Sequence, residues 1–299
     1  MFTQFFGSYL LNNKIVSSEH LREALEIGKS THVKLGVLAI NAGYMTADQV
    51  NEVHTIQSMV DKRIGDIAVD KGYMTPSQVT ELLSSQKTGY LSLGQALVDK
   101  GYINNVQFEQ AINNYKKDNK IENSTNNIEQ NENLDEIISY FLNFESSSKT
   151  KLYNDYITLL FRNIIRFVGD DFIPMKASVI QNYSSNFLVT QEITGDFNAF
   201  VAINCDEKSL INLASRFANE KFTKLNEYVN ASVGEFLNLQ DGLFCVNMSN
   251  EKELELDLKP QQTHNSVELK NLENARLIQI DFTFGIVDFI ICSQSPFNN

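Results

Sequence analysis

The 299-residue chain is poor in the residue types from which most hydrolytic sites are built. Its three cysteines, Cys205, Cys245 and Cys292, are an odd number without CxxC spacing, so they suggest neither a disulfide framework nor a zinc site and fit a reducing compartment. Its four histidines, His20, His32, His54 and His264, are scattered. No GxSxG, HExxH or glycine-rich phosphate loop occurs, which leaves conventional hydrolase chemistries without a motif. Cations are in deficit, 25 Lys and Arg against 37 Asp and Glu for a formal net charge of −12, which argues against a nucleic-acid partner. No apolar run approaches the length of a membrane span, and the N-terminus lacks a basic region followed by an apolar signal core. The expected location is therefore cytoplasmic, without membrane insertion.

What is present is enough apolar residue, 42%, for packed cores in one to three domains. The acidity is local. Residues 134–299 hold 13 Lys/Arg against 22 Asp/Glu, whereas residues 1–116 are nearly balanced at 10 against 11.

The N-terminal part is a repeat. Gly7, Gly36, Gly65 and Gly94 stand 29 residues apart, and a second register follows at Gly43, Gly72 and Gly101, with Lys14 in the first copy. Each second glycine is placed to close a helix in the left-handed conformation. An aromatic-apolar pair follows, and then a capping box at Thr46 with Gln49, Thr75 with Gln78 and Asn104 with Gln107, Pro76 taking the first helical position in one copy. Each unit is thus a helix, a tight turn and a second helix, unable to bury its apolar face alone. Lys117 to Asn133 contains six asparagines and two apolar residues, Ile121 and Ile128, and reads as a flexible linker.

Beyond the linker the pattern predicts a short amphipathic helix over 134–144, a helix over 152–167 and a hairpin of strands 187–190 and 198–204 around Gly195-Asp196. A helix capped by Asp206, a half-buried strand over 254–258 and a final hairpin from Ala275 to Cys292 complete an α+β domain. Between them a helix over Leu225–Phe244 has an apolar stripe of Leu225, Val229, Val233 and Phe236 and an opposite stripe of Ala231, Glu235, Asn238 and Gly242. Glu235 and Asn238 lie about 4.5 Å apart along the axis and point the same way. By itself such a pair is an ordinary solvated face.

The run from Glu235 through Asn238 to Gly242, followed by Pro260, resembles the signature of the CheC/CheX/FliY chemotaxis phosphatases. That pattern has an acid or serine, three residues, a Glu, two residues and an Asn, with a Pro some twenty-odd residues on. Here Ala231 stands at the first position and Ser232 one place late. The resemblance implies a CheX-like α+β fold over residues 150–295 and a phospho-aspartate phosphatase of a CheY-like response regulator. It assigns Glu235 and Asn238 as catalytic: Asn238 positions a water in line with phosphorus, and Glu235 pairs with the partner's active-site lysine. Mg²⁺ then comes with the phosphorylated partner, so the chain needs no metal or cofactor of its own.

The repeat resembles the MshEN domain, the N-terminal module of GspE-like secretion ATPases, with the pattern RLGxxLxxxGxxxxxxLxxxLxxQ and a five-residue spacer. Copies of it bind cyclic di-GMP in several members. Carried over, that would make Lys34, Gly36, Gly43 and Gln57 of the second copy and Arg63, Gly65, Gly72 and Gln86 of the third the nucleotide contacts. The glycines and leucines are equally explained by hairpin packing, with a protein-docking role for the repeats, and His54 reads as a packed residue.

The expected architecture is multi-domain: an all-α helical-hairpin repeat domain at 1–116, the linker at 117–133 and a CheX-like α+β domain at 134–299. Its activity would be dephosphorylation of a CheY-like regulator, with the repeats as a regulatory or docking module. The alternative is a non-catalytic, cyclic di-GMP-responsive adaptor on a degenerate CheX-like fold. The oligomeric state, a homodimer included, is left open.

Overall fold

The computed structural model describes residues 2–84, 89–119 and 148–297, in two compact units, one N-terminal and one C-terminal. The helix expected over 134–144, most of the expected linker and Gln86 lie outside the described residues.

The N-terminal unit is all-helical: α1 (Phe2–Asn12), α2 (Ser18–Gly28), α3 (Leu35–Ala42), α4 (Ala47–Gln57), α5 (Ile64–Asp70), α6 (Pro76–Ser84), α7 (Gly89–Asp99) and α8 (Asn105–Asp118). The second glycine register acts as expected. Gly43, Gly72 and Gly101 have φ of 71°, 72° and 72°, and Lys14 takes the same region at 56°. The capping boxes form at Thr46, Thr75 and Asn104. The first register has a packing cause: a Cβ on Gly36, Gly65 or Gly94 would lie 2.7, 2.9 or 2.4 Å from Val50, Val79 or Phe108, each 14 residues further on. Only a glycine lets the two helices of a hairpin approach so closely. The first two residues of the expected linker, Lys117 and Asp118, continue α8, whose last turn is anchored by buried Tyr115 against Phe6 and Tyr9.

The hairpins do not stack in chain order. The α1/α2 hairpin packs with α7/α8, and α3/α4 with α5/α6, while α3 and α4 also touch α8. Glutamates 29 residues apart secure both pairings. Glu23 accepts from Tyr102 and Lys100, Glu52 from Tyr73 and Lys71, and Glu81 from Tyr44.

The C-terminal unit begins with α9 (Ser148–Phe167) and carries an antiparallel sheet. Its strands are β1 (Phe172–Pro174), β2 (Ser178–Ile180), β3 (Tyr183–Gly195), β4 (Ala199–Cys205), β5 (Leu256–Leu258), β6 (Gln262–Leu269), β7 (Ala275–Phe282) and β8 (Gly285–Cys292). Their order is β1-β7-β8-β4-β3-β5, with β2 also on β7 and β6 also on β3. The expected hairpins are β3/β4 and β7/β8. Strands β1, β2 and β6 were not expected.

Two helices, α10 (Glu207–Ala218), capped by Asp206, and α11 (Glu227–Lys252), pack together over one face of this sheet. They cover Val189, Val201, Ile203, Ile278 and Phe289, which alternation puts on that face. The described architecture is thus a helical N-terminal part and an α+β C-terminal part. Among the described residues no helix is long and apolar enough to cross a membrane.

Candidate functional site

Helix α11 starts two residues later than expected and runs eight further. Asn226 is its N-cap, with Oδ1 accepting from the Val229 N–H at 3.0 Å. Leu225 therefore precedes the helix and is 37% exposed instead of heading the buried stripe. The remainder of that stripe, Val229, Val233 and Phe236, is fully buried, joined by Leu237, Phe244 and Met248. The opposite stripe faces outward as expected, with Ala231 and Glu235 exposed and Asn238 and Gly242 half-buried. Exposed Tyr228 and Val246 extend it at either end.

Glu235 and Asn238 are in contact: Asn238 Nδ2 donates to Glu235 Oε2 at 3.3 Å. Behind them lies a residue the sequence reading missed. Gln191, on β3 and 2% exposed, donates from Nε2 to Asn238 Oδ1 at 3.0 Å and to the Lys259 carbonyl at 2.9 Å. No local pattern could have shown it, because 47 residues separate Gln191 from Asn238. Pro260 follows Lys259 in the exposed turn between β5 and β6, and Gln261 lies over Gly234, where a Cβ would come within 3.1 Å of its Nε2.

The first position of the motif is left unfilled. The Ser232 hydroxyl donates to the Tyr228 carbonyl of its own helix at 2.8 Å, so it does not replace an acid or serine at Ala231. Beyond Ala231 and Gly242 the face is open, and a Cβ built on Gly242 meets nothing within 4 Å.

Beneath this face a buried polar seam joins α11 to α9. Tyr156 donates to Asp241 Oδ1 at 2.6 Å, Asn163 to Gln240 at 2.7 Å, and Gln240 to the Tyr156 carbonyl at 3.1 Å. Burial pushes the Asp241 carboxyl up to about 8, against a smaller downward pull from the Tyr156 hydroxyl.

In the N-terminal unit, Leu35 lies against Gly65, so the first turns of α3 and α5, begun by Lys34 and Arg63, abut. Gln57 donates to the Lys62 carbonyl beside Arg63 at 3.2 Å. Lys34 is ion-paired with Asp99 at 2.7 Å, and Arg63 is exposed. Gly36 and Gly65 are packed by side chains, and Gly43 and Gly72 are exposed helix ends. His54 packs over Gly36, half-buried, and burial lowers its proton affinity.

No protein-family model matches the sequence, and no curated relative matches it either. Solved structures resembling it include CheX- and CheC-like chemotaxis proteins, each matched over about half of this chain. The CheX of Desulfovibrio desulfuricans is 13% identical over 48% of this chain and 99% of its own, with a TM-score of 0.42. A CheC-like superfamily protein from Shewanella sp. PV-4 is 15% identical over 50% and 100%, at 0.43. The CheX of Borrelia burgdorferi, solved in complex with CheY, BeF3 and Mg²⁺, is 12% identical over 48% and 98%, at 0.41.

Proposed function

We propose that the C-terminal unit is a phospho-aspartate phosphatase acting on a CheY-like response regulator, with Asn238 and Glu235 as its catalytic pair. The observation that carries this reading is an acid and a carboxamide side by side on the exposed face of α11, the carboxamide held from behind by a buried side chain. Small residues, Ala231 and Gly242, flank the pair, so a folded partner can bring its active site close.

Phosphoryl transfer to water needs positioning and charge stabilisation more than a nucleophile on the enzyme. Asn238 supplies a fixed hydrogen-bonding group for the attacking water, and Glu235 a negative charge for the partner's lysine. Mg²⁺, bound by the phosphorylated partner, supplies charge neutralisation at the phosphoryl oxygens. The Glu235–Asn238 hydrogen bond is long, so Glu235 gives up little on turning to a cation.

Phosphate release from a panel of phosphorylated CheY-like proteins tests the reading. Asn238→Ala removes a group used in the transition state, and kcat should fall by roughly 10²–10³. Glu235→Ala removes a contact already made in the bound state and should chiefly raise KM. An Asn238→Ala variant within twofold of the parent rate overturns the assignment.

A second reading, an adaptor responsive to cyclic di-GMP, is favoured by the abutting helix starts of α3 and α5. Exposed Arg63, and Lys34 at the neighbouring helix start, offer cations to a dianion of two-fold symmetry. Lys34 would first leave Asp99. Calorimetry with cyclic di-GMP on the full chain and on Arg63→Ala separates this from a docking module.

A further inference from the structure

We infer that Gln191 is a positioning residue that dictates which way the Asn238 carboxamide faces, and that the Lys259–Pro260 peptide acts on the site through it. The inference rests on the reading of Asn238 as the water-orienting group, and goes beyond it by assigning a residue and a physical route.

Hydrogen-bond chemistry allows one arrangement. The Lys259 carbonyl can only accept, so Gln191 must turn its NH₂ toward it. The same Nε2 is the atom that reaches Asn238, so Asn238 must present its oxygen inward. At the other end, the Glu235 carboxylate can accept only, so the Asn238 NH₂ must face outward. The Lys259 carbonyl, through Gln191, thus fixes the direction of both carboxamides, and the long Glu235 contact agrees with it. Reversing Gln191 would aim its oxygen at two other oxygens. The cost already present, a buried Gln191 Oε1 without a protein partner, would then be joined by two lost hydrogen bonds.

The anchor of this chain is itself held. Its amide N–H donates to the Glu192 carbonyl at 2.9 Å and its ammonium pairs with the Glu192 carboxylate. Pro260 restricts the residue before it to extended backbone, which limits where the Lys259 carbonyl can point. Neighbouring residues of β3, Gln191 and Glu192, therefore grip the same residue of the opposite turn. The part of the motif that lies 22 residues beyond Asn238 reaches it through Gln191 without touching substrate. The consequence at the face is a donor aimed outward, with one Nδ2 hydrogen directed to Glu235 and the other open to a water lone pair or a phosphoryl oxygen.

Three variants of the full chain, Gln191→Leu, Pro260→Ala and the double variant, test this in phosphate release from a phosphorylated CheY-like protein. The side-chain amide NMR signals of Asn238 are followed in parallel. Gln191→Leu should lower kcat by roughly three- to tenfold, the worth of one neutral hydrogen bond, with KM within twofold. Pro260→Ala should lower kcat less, and the double variant no more than Gln191→Leu, since both act through one contact. The Asn238 amide signals should move toward those of a free carboxamide in Gln191→Leu. Additive losses, a change in KM alone or unmoved Asn238 signals in a folded Gln191→Leu variant overturn the proposal. The NMR arm decides it even for a parent without activity, an outcome that would sink the phosphatase reading instead.

Discussion

At the scale of single residues, the carboxyl of Asp241 ties the pH response of the fold to the helix that bears the candidate pair. Its folded-state proton affinity, about 8, exceeds the ordinary carboxylate value of 3.8 because burial disfavours the charge. Tyr156 donates to it from α9, and Cys245 on the same helix faces it. A group that binds its proton more tightly folded than unfolded lends stability at low pH. That stability is complete below about 4 and is lost as pH rises toward 8, at up to ~1.4 kcal/mol per pH unit. Asp241→Asn should flatten this slope and leave the variant more stable than the parent at pH 8.5, by denaturant unfolding at several pH values. An unchanged slope would show that Asp241 does not titrate in that range.

At the scale of elements, α11 separates what stabilises the helix from what serves a partner. Gly242 lies inside it with nothing within 4 Å of a built Cβ, so Gly242→Ala should gain roughly 0.5–1 kcal/mol of stability from the reduced backbone entropy of glycine. The same methyl stands on the open face beside Asn238, and KM for the phosphorylated regulator should rise. Thermal melting and phosphate-release kinetics on one sample check both. A higher KM with a lower Tm would mean that the glycine serves the fold.

Sequence could show this face because Glu235 and Asn238 are three residues apart on one helix, where spacing alone sets direction. It showed the hairpin units for a similar reason, since caps and left-handed glycines are local. Strand β6 escaped because five of its eight residues are exposed and its run, Gln-Thr-His-Asn-Ser-Val-Glu-Leu, has the polarity of a loop. Gln191 escaped because its partners come from two other elements, and the far end of α11 because its last turns are polar.

At the scale of the whole chain, the two compact units should be separable. A fragment of residues 134–299 holds its own core, including Val189, Phe236, Ile280 and Phe289. It should melt cooperatively and dephosphorylate the regulator at a rate comparable with the full chain. A fragment that fails to fold would overturn this separability.

The order in which the N-terminal hairpins pair also bears on how that unit can change through evolution. An open stack of repeats can gain or lose a copy at either end. Here the first hairpin is matched with the fourth and the second with the third, as brackets nest within brackets. Deleting one copy would leave another without its mate, with an apolar face uncovered and a glutamate such as Glu23 without its tyrosine. Because α3 and α4 also touch α8, such a loss would be felt between the two pairs as well as within one. The same nesting gives the inner pair the shorter loop to close and the outer pair the longer one.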